Sequence, residues 1–469
     1  MSMKRKDYII EDLEIIDAGA EGKAVGKHDG LTVFVPYVVP GDIVDVKVFK
    51  QKKGYAEASL VQLKQPSPYR ITPKCSHFGL CGGCKWQILD YDQQLFYKQK
   101  QVEDNFKHLG KFDFPPLQPI LASKNQYEYR NKLEFTFSHL RWLDDADLAV
   151  QKAGGTVDSE GLGFHIPGKF DKVLDIDRCY LQPEPSNAIR LTVRKFCIEN
   201  RLSFYNIRNH EGLMRNLLIR TASTGELMVI VVFTAVTEQS LALMQCVKES
   251  YPEITSLYYV VNTKFNDSIS DLEPVLFSGK AFIMEKMEDL NYKISPVSFF
   301  QTNSEQAYRL YQIVRELAQI GAEDVVYDLY TGTGAIANFV AKAAKKVVGI
   351  EYVDAAIVDA QENARLNGIN NTHFFAGDMA KVLNADFVAQ HGTPDIVITD
   401  PPRAGMHDNV IAQLLTIMPN RIVYVSCNPA TQARDLNSLT TRYNIVKIQP
   451  VDMFPQTHHV ENVVLLVTK

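Results

Sequence analysis

Short apolar runs separated by turn residues cover the first seventy positions of the chain. Valine occupies every second position at Val44, Val46 and Val48, and the pair Pro40-Gly41 precedes this run. Alternation of this kind predicts half-buried strands joined by tight turns. Residues 1–68 are therefore expected to form a small five-stranded barrel of the OB-like type.

Strand-like and helical runs are mixed between residues 69 and 290. A proline-rich linker leads into this region. Apolar runs predict strands over 133–137, 217–222, 227–233 and 256–261, and helical periodicity predicts helices over 186–200 and 237–250. We interpret the region as a cysteine-bearing segment followed by a central α+β domain, with part of residues 91–124 packing on the domain that follows.

Helices and buried strands alternate regularly from residue 291 onward. A helix is predicted over 304–320, and strands over 325–330, 347–351, 396–400 and 422–426. Such alternation implies a doubly wound parallel sheet. Residues 291–469 are therefore expected to form a Rossmann-like α/β domain, which makes the chain multidomain.

Length and composition agree with several cores of ordinary size. The chain has 469 residues, of which 46% are hydrophobic and 22% charged. None of its apolar runs reaches the roughly 20 residues that a membrane span requires, and the run near the N-terminus is too short for a signal peptide. We expect a cytoplasmic monomer that does not bind membranes.

Charge is distributed unevenly along the chain. A net charge of −5 does not favour nucleic-acid binding, because phosphate contacts require a positive surface. Between Lys47 and Lys74, however, five further basic residues stand against the single acid Glu57, with Tyr55 among them. Such a run is either a solvated surface or the basic face of an RNA-binding barrel.

A glycine-rich turn follows the first predicted strand of the C-terminal domain. The sequence Asp-Leu-Tyr-Thr-Gly-Thr-Gly at 328–334 opens a helix, where a ligand can approach the backbone amides closely. The next strand ends in Glu351, whose carboxylate can accept hydrogen bonds from ribose hydroxyls. Ala337 stands where a dinucleotide-binding turn carries its third glycine. The turn therefore favours S-adenosylmethionine, with Asp378 and Asp400 following the next two strands.

Two further residues with candidate chemistry follow or precede apolar strands. A lone cysteine such as Cys427 is more often a small core residue. The Asn-Pro that follows it turns the chain, so its thiol is expected at the carboxyl edge of the sheet, where ligands bind. Glu461 precedes the last apolar run and is either a solvated carboxylate or a base. Cys197 and Cys246 fall on helical apolar patterns and are expected to be core residues.

Four motifs together resemble the RNA uracil-5-methyltransferase family. They are Phe-Phe-Gln-Thr-Asn at 299–303, Asp-Pro-Pro-Arg-Ala-Gly at 400–405, Ser-Cys-Asn-Pro at 426–429 and Thr-His-His-Val-Glu at 457–461. The resemblance implies that Cys427 is the nucleophile and Glu461 the proton acceptor. It also implies six residues that bind S-adenosylmethionine: Gln301, Tyr330, Gly332, Glu351, Asp378 and Asp400.

The chemistry of this family explains why both a thiol and a base are needed. Carbon 5 of uracil is too weak a nucleophile to take a methyl group unaided, so a thiolate first adds at carbon 6 and turns the ring into an enolate. After methyl transfer, a base removes the carbon 5 proton so that the cysteine can leave. The expected activity is therefore methylation of a uridine through a covalent adduct with Cys427.

Four of the seven cysteines are candidate metal ligands. Cys75, Cys81 and Cys84 form a tight group, and Cys179 is the expected fourth ligand. Without a signal peptide, such cysteines favour metal ligation over disulfides, but their spacing does not separate zinc from an iron-sulfur cluster. The resemblance implies a 4Fe-4S cluster, which we expect to staple the barrel to the central domain without transferring electrons.

Two additions to the catalytic domain indicate which RNA is modified. The segment 18–42, with the basic run after it, resembles a TRAM domain, and the family's 23S rRNA enzymes carry both the cysteine cluster and, often, this barrel. The resemblance therefore implies 23S rRNA as the substrate. The motif Tyr129-Arg130-Asn131-Lys132 offers cations for phosphate and a ring for base stacking. The alternatives are methylation of tRNA or of cytosine, and a non-catalytic iron-sulfur RNA-binding protein.

Overall fold

In this computed structural model, residues 8–469 are described. The first seven residues lie outside the described residues. Two predictions involve them: the barrel over residues 1–68 and the expected absence of a signal peptide. Helices capable of crossing a membrane, which must be both long and strongly apolar, do not occur in the described range.

The N-terminal strands close into a barrel, and the predicted five strands are all present. They are β1 (Tyr8–Ala18), β2 (Ala24–His28), β3 (Leu31–Val35), β4 (Ile43–Lys52) and β5 (Tyr55–Gln65), in the order β1-β2-β3-β5-β4. Val44 and Val46 are fully buried inside the barrel, as their alternation predicts. The buried Asp42 pairs with Arg70 at 2.6 Å, which fixes the path of the chain as it leaves the barrel.

The cysteine-bearing segment, residues 66–90, leads from the barrel to helix α1 (Tyr91–Asn105). The Asp90 side chain caps α1 by accepting a hydrogen bond from the Asp92 amide. One turn of π-helix, Phe106–Gly110, follows. Val102 and Phe106 are fully buried among side chains of the C-terminal sheet. Helix α1 therefore packs on the C-terminal domain.

The central domain is built on one seven-stranded sheet. Its strands are β6 (Lys132–Ser138), β7 (Gly161–Ile166), β8 (Lys169–Asp175), β9 (Met214–Thr221), β10 (Leu227–Phe233), β11 (Ser256–Val261) and β12 (Val275–Gly279), in the order β12-β11-β10-β9-β6-β7-β8. Its helices are α2 (Asp145–Lys152), α3 (Ser186–Glu199) and α4 (Glu238–Ser250). The four strands and two helices predicted here are present, whereas α2, β7, β8 and β12 have too little apolar periodicity to be predicted.

The two faces of this sheet have different neighbours. One face packs against α3 and α4 around Phe135, Val229 and Val231. The other face, through Leu218 and Met228, joins the core of the C-terminal domain. The central and C-terminal domains therefore share an apolar interface.

A two-stranded hairpin connects the central sheet to the C-terminal sheet. Its strands are β13 (Ile283–Met287) and β14 (Leu290–Ile294). Tyr292 is fully buried and its hydroxyl donates a hydrogen bond to the Ala335 carbonyl at 3.1 Å. The hairpin spans residue 290, where the sequence analysis places a domain boundary, and its apolar side belongs to the C-terminal core.

The C-terminal domain is a seven-stranded sheet covered by helices. Its strands are β15 (Val325–Leu329), β16 (Lys346–Glu351), β17 (Thr372–Ala376), β18 (Ile396–Thr399), β19 (Arg421–Ser426), β20 (Tyr443–Val451) and β21 (Glu461–Thr468), in the order β17-β16-β15-β18-β19-β21-β20. Its helices are α5 (Ser304–Ala318), α6 (Ala335–Val340), α7 (Asp354–Leu366), α8 (Met379–Val382), α9 (Ala385–His391), α10 (Asp408–Ile417) and α11 (Pro429–Leu439).

Strand order in this sheet reverses between β15 and β18. The first five strands are parallel, and β21 then pairs antiparallel with β19. Ligands of doubly wound sheets bind at the carboxyl edge where the order reverses. The fold therefore places the candidate site beyond the ends of β15 and β18.

Candidate active site

The glycine-rich turn after β15 has a backbone that most residues avoid. Tyr330, Gly332 and Gly334 all have positive φ angles, of 63°, 55° and 73°. A Cβ atom on Gly334 would lie 2.8 Å from the Cβ of Ala360, so only glycine fits there. Within residues 331–335 only Gly332 is partly exposed, so the turn brings the Gly332 backbone to the sheet edge.

Glu351 is held in one orientation by three backbone amides. Its Oε2 accepts a hydrogen bond from the Gly332 amide at 3.1 Å, and its Oε1 accepts from Tyr352 and Val353 at 2.8 and 3.0 Å. The carboxylate therefore links the end of β16 to the glycine-rich turn. This is the position that the sequence analysis assigns to ribose binding.

A cavity of about 660 Å³ opens beside this turn. Of the six predicted cofactor residues, Tyr330 and Asp378 line it, and Asp378 also caps α8 by accepting from the Ala380 amide. The rest of the wall includes Pro402, Ala404 and Gly405 of the motif at 400–405, and residues that sequence reasoning missed: Tyr352, Met379, Arg434 and the segment 406–409. Tyr352 could have been found, because it directly follows Glu351. The volume suits a ligand of nucleoside size.

Gln301 is fixed by the central domain through its backbone. The Asn131 side chain donates hydrogen bonds to the Gln301 carbonyl at 2.8 Å and to the Ser304 hydroxyl at 2.7 Å.

Tyr129 is only 7% exposed, and its hydroxyl donates to the Pro455 carbonyl at 2.9 Å. The prediction that Tyr129 stacks on a base is therefore wrong, because its ring is packed inside the protein.

Strand register brings Cys427, Asp400 and Glu461 to the same edge of the sheet. Thr399 on β18 lies opposite Tyr424 on β19, so Asp400 and Cys427 follow the ends of neighbouring strands. Ser426 in turn lies opposite Asn462 on β21. Glu461, adjacent to Asn462, therefore lies beside Cys427 although 34 positions separate them in the sequence.

Burial changes the acid-base properties of all three groups. It raises the pKa of Cys427 to about 11, with further increases from Glu461 and Asp400 and a decrease from Arg403. Burial, followed by the charge of Asp400, raises the pKa of Glu461 to about 8. Asp400 keeps some solvent access, but the protein atoms around it raise its pKa to about 7 by desolvation. Near neutral pH, Cys427 is therefore a protonated thiol, and the carboxyl groups of Glu461 and Asp400 can also carry protons.

The four candidate metal ligands line one cavity of about 340 Å³, which lies between the cysteine-bearing segment and the central domain. Two hydrogen bonds fix the backbone around Cys179 beside this cavity. The Asp177 amide donates to His77 Nε2 at 2.9 Å, and the Cys179 amide donates to the Asn187 side chain at 2.7 Å. In residues 8–469, no group of three or more histidine, cysteine, aspartate or glutamate side chains is arranged to hold a metal ion as it stands.

The two remaining cysteines differ from each other. Cys197 on α3 is fully buried, which confirms its predicted core position. Cys246 on α4 is only partly buried, so the prediction of a core residue is wrong there. Its helix packs through Leu243, Met244 and Val247, and residue 246 lies outside that apolar stripe.

Family models match both ends of the chain. A model described as tRNA (Uracil-5-)-methyltransferase matches residues 279–469, and one described as TRAM domain matches residues 9–61. An uncharacterized RNA methyltransferase from Bacteroides thetaiotaomicron is 54% identical over 95% of this chain and 99% of its own length. One from Porphyromonas gingivalis is 55% identical over 97% of this chain and 99% of its own.

A solved structure is similar over the same extent. It is the crystal structure of a Pyrococcus abyssi tRNA (uracil-54, C5)-methyltransferase in complex with S-adenosyl-L-homocysteine. The TM-score is 0.74 at 30% sequence identity, and the match covers 98% of this chain and 100% of that chain. The similarity therefore includes the barrel, the central domain and the C-terminal domain.

Proposed function

This chain belongs to the RNA uracil-5-methyltransferase family, and from that premise we propose that it methylates carbon 5 of a uridine in 23S rRNA. The single observation that carries the uracil chemistry of this proposal is the register that places Asp400, Cys427 and Glu461 at one sheet edge. A nucleophile beside one buried and one partly buried carboxylate, next to a glycine-rich turn, supplies the groups that this reaction needs.

Cys427 adds to carbon 6 as a thiolate in this proposal. Burial and the two carboxylates disfavour the thiolate, whereas Arg403 favours it. Attack therefore depends on the neighbouring carboxyl groups holding protons or on the approach of a positive charge. S-adenosylmethionine supplies the methyl group when it is bound, and the residues proposed to hold it are Gln301, Tyr330, Gly332, Glu351, Asp378 and Asp400.

Glu461 accepts the carbon 5 proton after methyl transfer. Its side chain is only 7% exposed, and its raised pKa of about 8 makes it a stronger base than an ordinary carboxylate. Asp400, whose pKa of about 7 lets it carry a proton near neutrality, can donate a hydrogen bond to the uracil edge. Such a donor stabilises the enolate as it forms.

We propose a 4Fe-4S cluster for the four-cysteine cavity. Four thiols suit soft metals, and burial, with the neighbouring thiols, raises the pKa of Cys84 to about 12, so a group of thiolates here requires positive charge beside it. The four thiols line one cavity. The resemblance to the family's 23S rRNA enzymes is what favours an iron-sulfur cluster over a zinc ion there.

Anaerobically purified protein is expected to be brown, with an absorbance shoulder near roughly 400 nm. Cys179→Ser is expected to lose iron, whereas Cys246→Ser, which changes a cysteine outside the cavity, is expected to retain it. Colourless protein with stoichiometric zinc would contradict the cluster. Full iron content in Cys179→Ser would mean that the fourth ligand is a different residue.

The second candidate function is methylation of tRNA. It is favoured by the similar archaeal tRNA enzyme, which matches 98% of the chain, the barrel included. Possession of a barrel therefore does not by itself separate the two substrates. The proposal for 23S rRNA depends on the combination of the barrel with the cysteine cavity.

In the test, purified enzyme and tritiated S-adenosylmethionine are incubated with either 23S rRNA or tRNA. Each RNA is isolated from a strain that lacks the gene. Label is expected in rRNA, and digestion is expected to release it as 5-methyluridine. Label in tRNA alone would assign the second candidate, and label in 5-methylcytosine would refute the uracil assignment. If calorimetry detects no binding of S-adenosylmethionine, the chain is a non-catalytic RNA-binding protein.

A further inference from the structure

We propose that Gln94 and Gln456 are positioning residues that tie the cysteine-bearing segment to the loop that ends at Glu461. This inference rests on the proposed role of Glu461 as proton acceptor. It assigns a function to Gln94, which is remote in sequence from the catalytic motifs, to Gln456, which directly precedes the motif at 457–461, and to the contact between the cysteine-bearing segment and the active site.

Glu461 owes its position to the loop that precedes it. Residues 452–460 connect β20 to β21, and Val451 lies opposite Glu461 in the hairpin. Gln456, in the middle of the loop, has a φ of 68°, a conformation that non-glycine residues adopt only when their surroundings impose it. The contacts around Gln456 therefore decide how the chain enters β21.

Gln94 and Gln456 form a closed set of hydrogen bonds. The Gln456 carbonyl accepts from the Lys85 and Trp86 amides at 2.9 and 3.0 Å. The Gln456 amide donates to Gln94 Oε1 at 2.9 Å, and Gln94 Nε2 donates to Gln456 Oε1 at 3.0 Å. Gln94 Nε2 also lies 3.0 Å from the Trp86 carbonyl and 2.9 Å from that of Leu89. Three separate segments thus share one network.

Burial makes each hydrogen bond of this network costly to lose. Gln94 is completely buried and Gln456 is 2% exposed, so water cannot replace a hydrogen bond that is lost. Lys85 and Trp86 directly follow Cys84, a wall residue of the cysteine cavity. A change in the fold of the cysteine-bearing segment is therefore transmitted to Gln456 through two backbone hydrogen bonds.

The first half of the loop has anchors of its own. Lys98 Nζ lies 2.6 Å from Asp452 Oδ1 and donates to the Phe454 carbonyl at 3.0 Å. The Asn303 side chain donates to the Met453 carbonyl at 2.9 Å. Removing the Gln94 amide therefore releases chiefly the half of the loop nearest Glu461.

A displaced Glu461 affects one chemical step more than the other. Attack by Cys427 and methyl transfer do not need the base, whereas release of the cysteine does. A Gln94 variant is therefore expected to methylate RNA but to release it slowly, so that a covalent protein-RNA complex accumulates. A general loss of stability would instead lower both steps together.

The experiment compares Gln94→Met with Gln93→Met. Methionine matches glutamine in length and favours helix, and Gln93 is the preceding residue on α1, with no side-chain hydrogen bond among the described residues. With labelled cofactor and an rRNA fragment, Gln94→Met is expected to slow adduct release on the order of tenfold, because it removes the hydrogen bonds of the Gln94 side chain and leaves buried polar groups of Gln456 without that partner. Gln93→Met is expected to match wild type.

Hydrogen-deuterium exchange provides a readout that does not depend on activity. Amides of residues 456–461 are expected to exchange faster in Gln94→Met, and also in Cys84→Ser, than in wild type. Unchanged exchange in both variants, or equal slowing of methyl transfer and release, would overturn the inference. If Gln94→Met does not fold, Gln94→Asn replaces it, because asparagine shortens the side chain while keeping its amide. In Gln94→Asn, amides of residues 456–461 are likewise expected to exchange faster than in wild type. Failure of the proposed function would appear separately, as absence of methylation by wild type.

Discussion

Cys427 and Glu461 act in successive steps of the proposed reaction, so their substitution is expected to give different phenotypes. Cys427→Ala removes the nucleophile and should transfer no methyl group while still binding RNA and cofactor. Glu461→Gln should attack and methylate but retain the product on Cys427. On a denaturing gel with labelled cofactor, a slowly migrating labelled band is expected for Glu461→Gln and not for Cys427→Ala. Turnover of Glu461→Gln at the wild-type rate would assign the proton to another acceptor.

The raised pKa of Glu461 predicts how adduct release depends on pH. Glu461 accepts a proton only when ionised, so release should accelerate as pH rises through about 8 and level off above that value. Asp400 raises this pKa and Arg403 lowers it. The midpoint is therefore expected to move down in Asp400→Asn and up in Arg403→Met. Quenched single-turnover decay of the labelled complex measures the midpoint, and shifts in the same direction would contradict the assignment.

At the scale of elements, helix α11 links the nucleophile Cys427 to the loop that follows Asp400. Its residue Asp435 accepts hydrogen bonds from the Met406 amide at 2.8 Å and the Tyr424 hydroxyl at 2.7 Å. The Asn428 side chain, at the start of the same helix, donates to the Arg403 carbonyl at 3.0 Å. The loop after Asp400 is therefore held by the helix that follows Cys427.

Gly405, in the loop after Asp400, packs closely against α11. It has a φ of 79°, and an added Cβ would lie 2.6 Å from Arg434 and 2.7 Å from Asp435. Gly405→Ala is expected to shift the cavity wall and weaken S-adenosylmethionine binding about tenfold, corresponding to a loss of about 1.4 kcal/mol. Gly368→Ala has a similar φ with open space around it and serves as the control. Equal cofactor affinity of the two variants by calorimetry would refute this explanation.

At the scale of the whole molecule, the barrel lies against the cysteine-bearing segment and the loop of residues 452–460. The Trp86 indole donates a hydrogen bond to the Gly22 carbonyl at 3.3 Å. A Cβ on Gly22, whose φ is 75°, would lie 2.9 Å from Lys85 and 3.2 Å from His458 Nδ1. The barrel, the cysteine-bearing segment and the loop before Glu461 therefore meet at one point.

Disturbing this junction should separate RNA binding from cofactor binding. Gly22→Val is expected to tilt the barrel and weaken RNA binding, because in the proposed function the barrel and the C-terminal domain contact the same RNA. Its affinity for S-adenosylmethionine should stay at the wild-type value. Gly30→Val, at a barrel turn with similar φ and no neighbour within 4 Å, is the matched control. Fluorescence anisotropy with a labelled rRNA fragment measures the effect, and equal affinity of both variants would count against it.

Local pattern was sufficient for the parallel sheet and its ligand-binding edge. Strands predicted over 325–330 and 422–426 are observed as Val325–Leu329 and Arg421–Ser426. Strands buried on both faces consist of continuous apolar residues, and their carboxyl ends share one edge. The sequence could therefore place Tyr330, Asp400 and Cys427 on the same edge before any contact was known.

Individual long-range contacts were not visible in the same pattern, although part of residues 91–124 was expected to pack on the C-terminal domain. Helix α1 is rich in polar residues, yet Gln94 and Lys98 are fully buried, and each has a hydrogen-bond partner more than 350 positions away. Tyr129 resembles an exposed base-stacking residue and is likewise buried. Sequence alone supplied the candidate residues for the proposed chemistry, since the motifs that carry the family resemblance are local. Only the tertiary structure decided which distant polar groups satisfy one another, because a buried hydrogen bond depends on proximity in space and not on spacing along the chain.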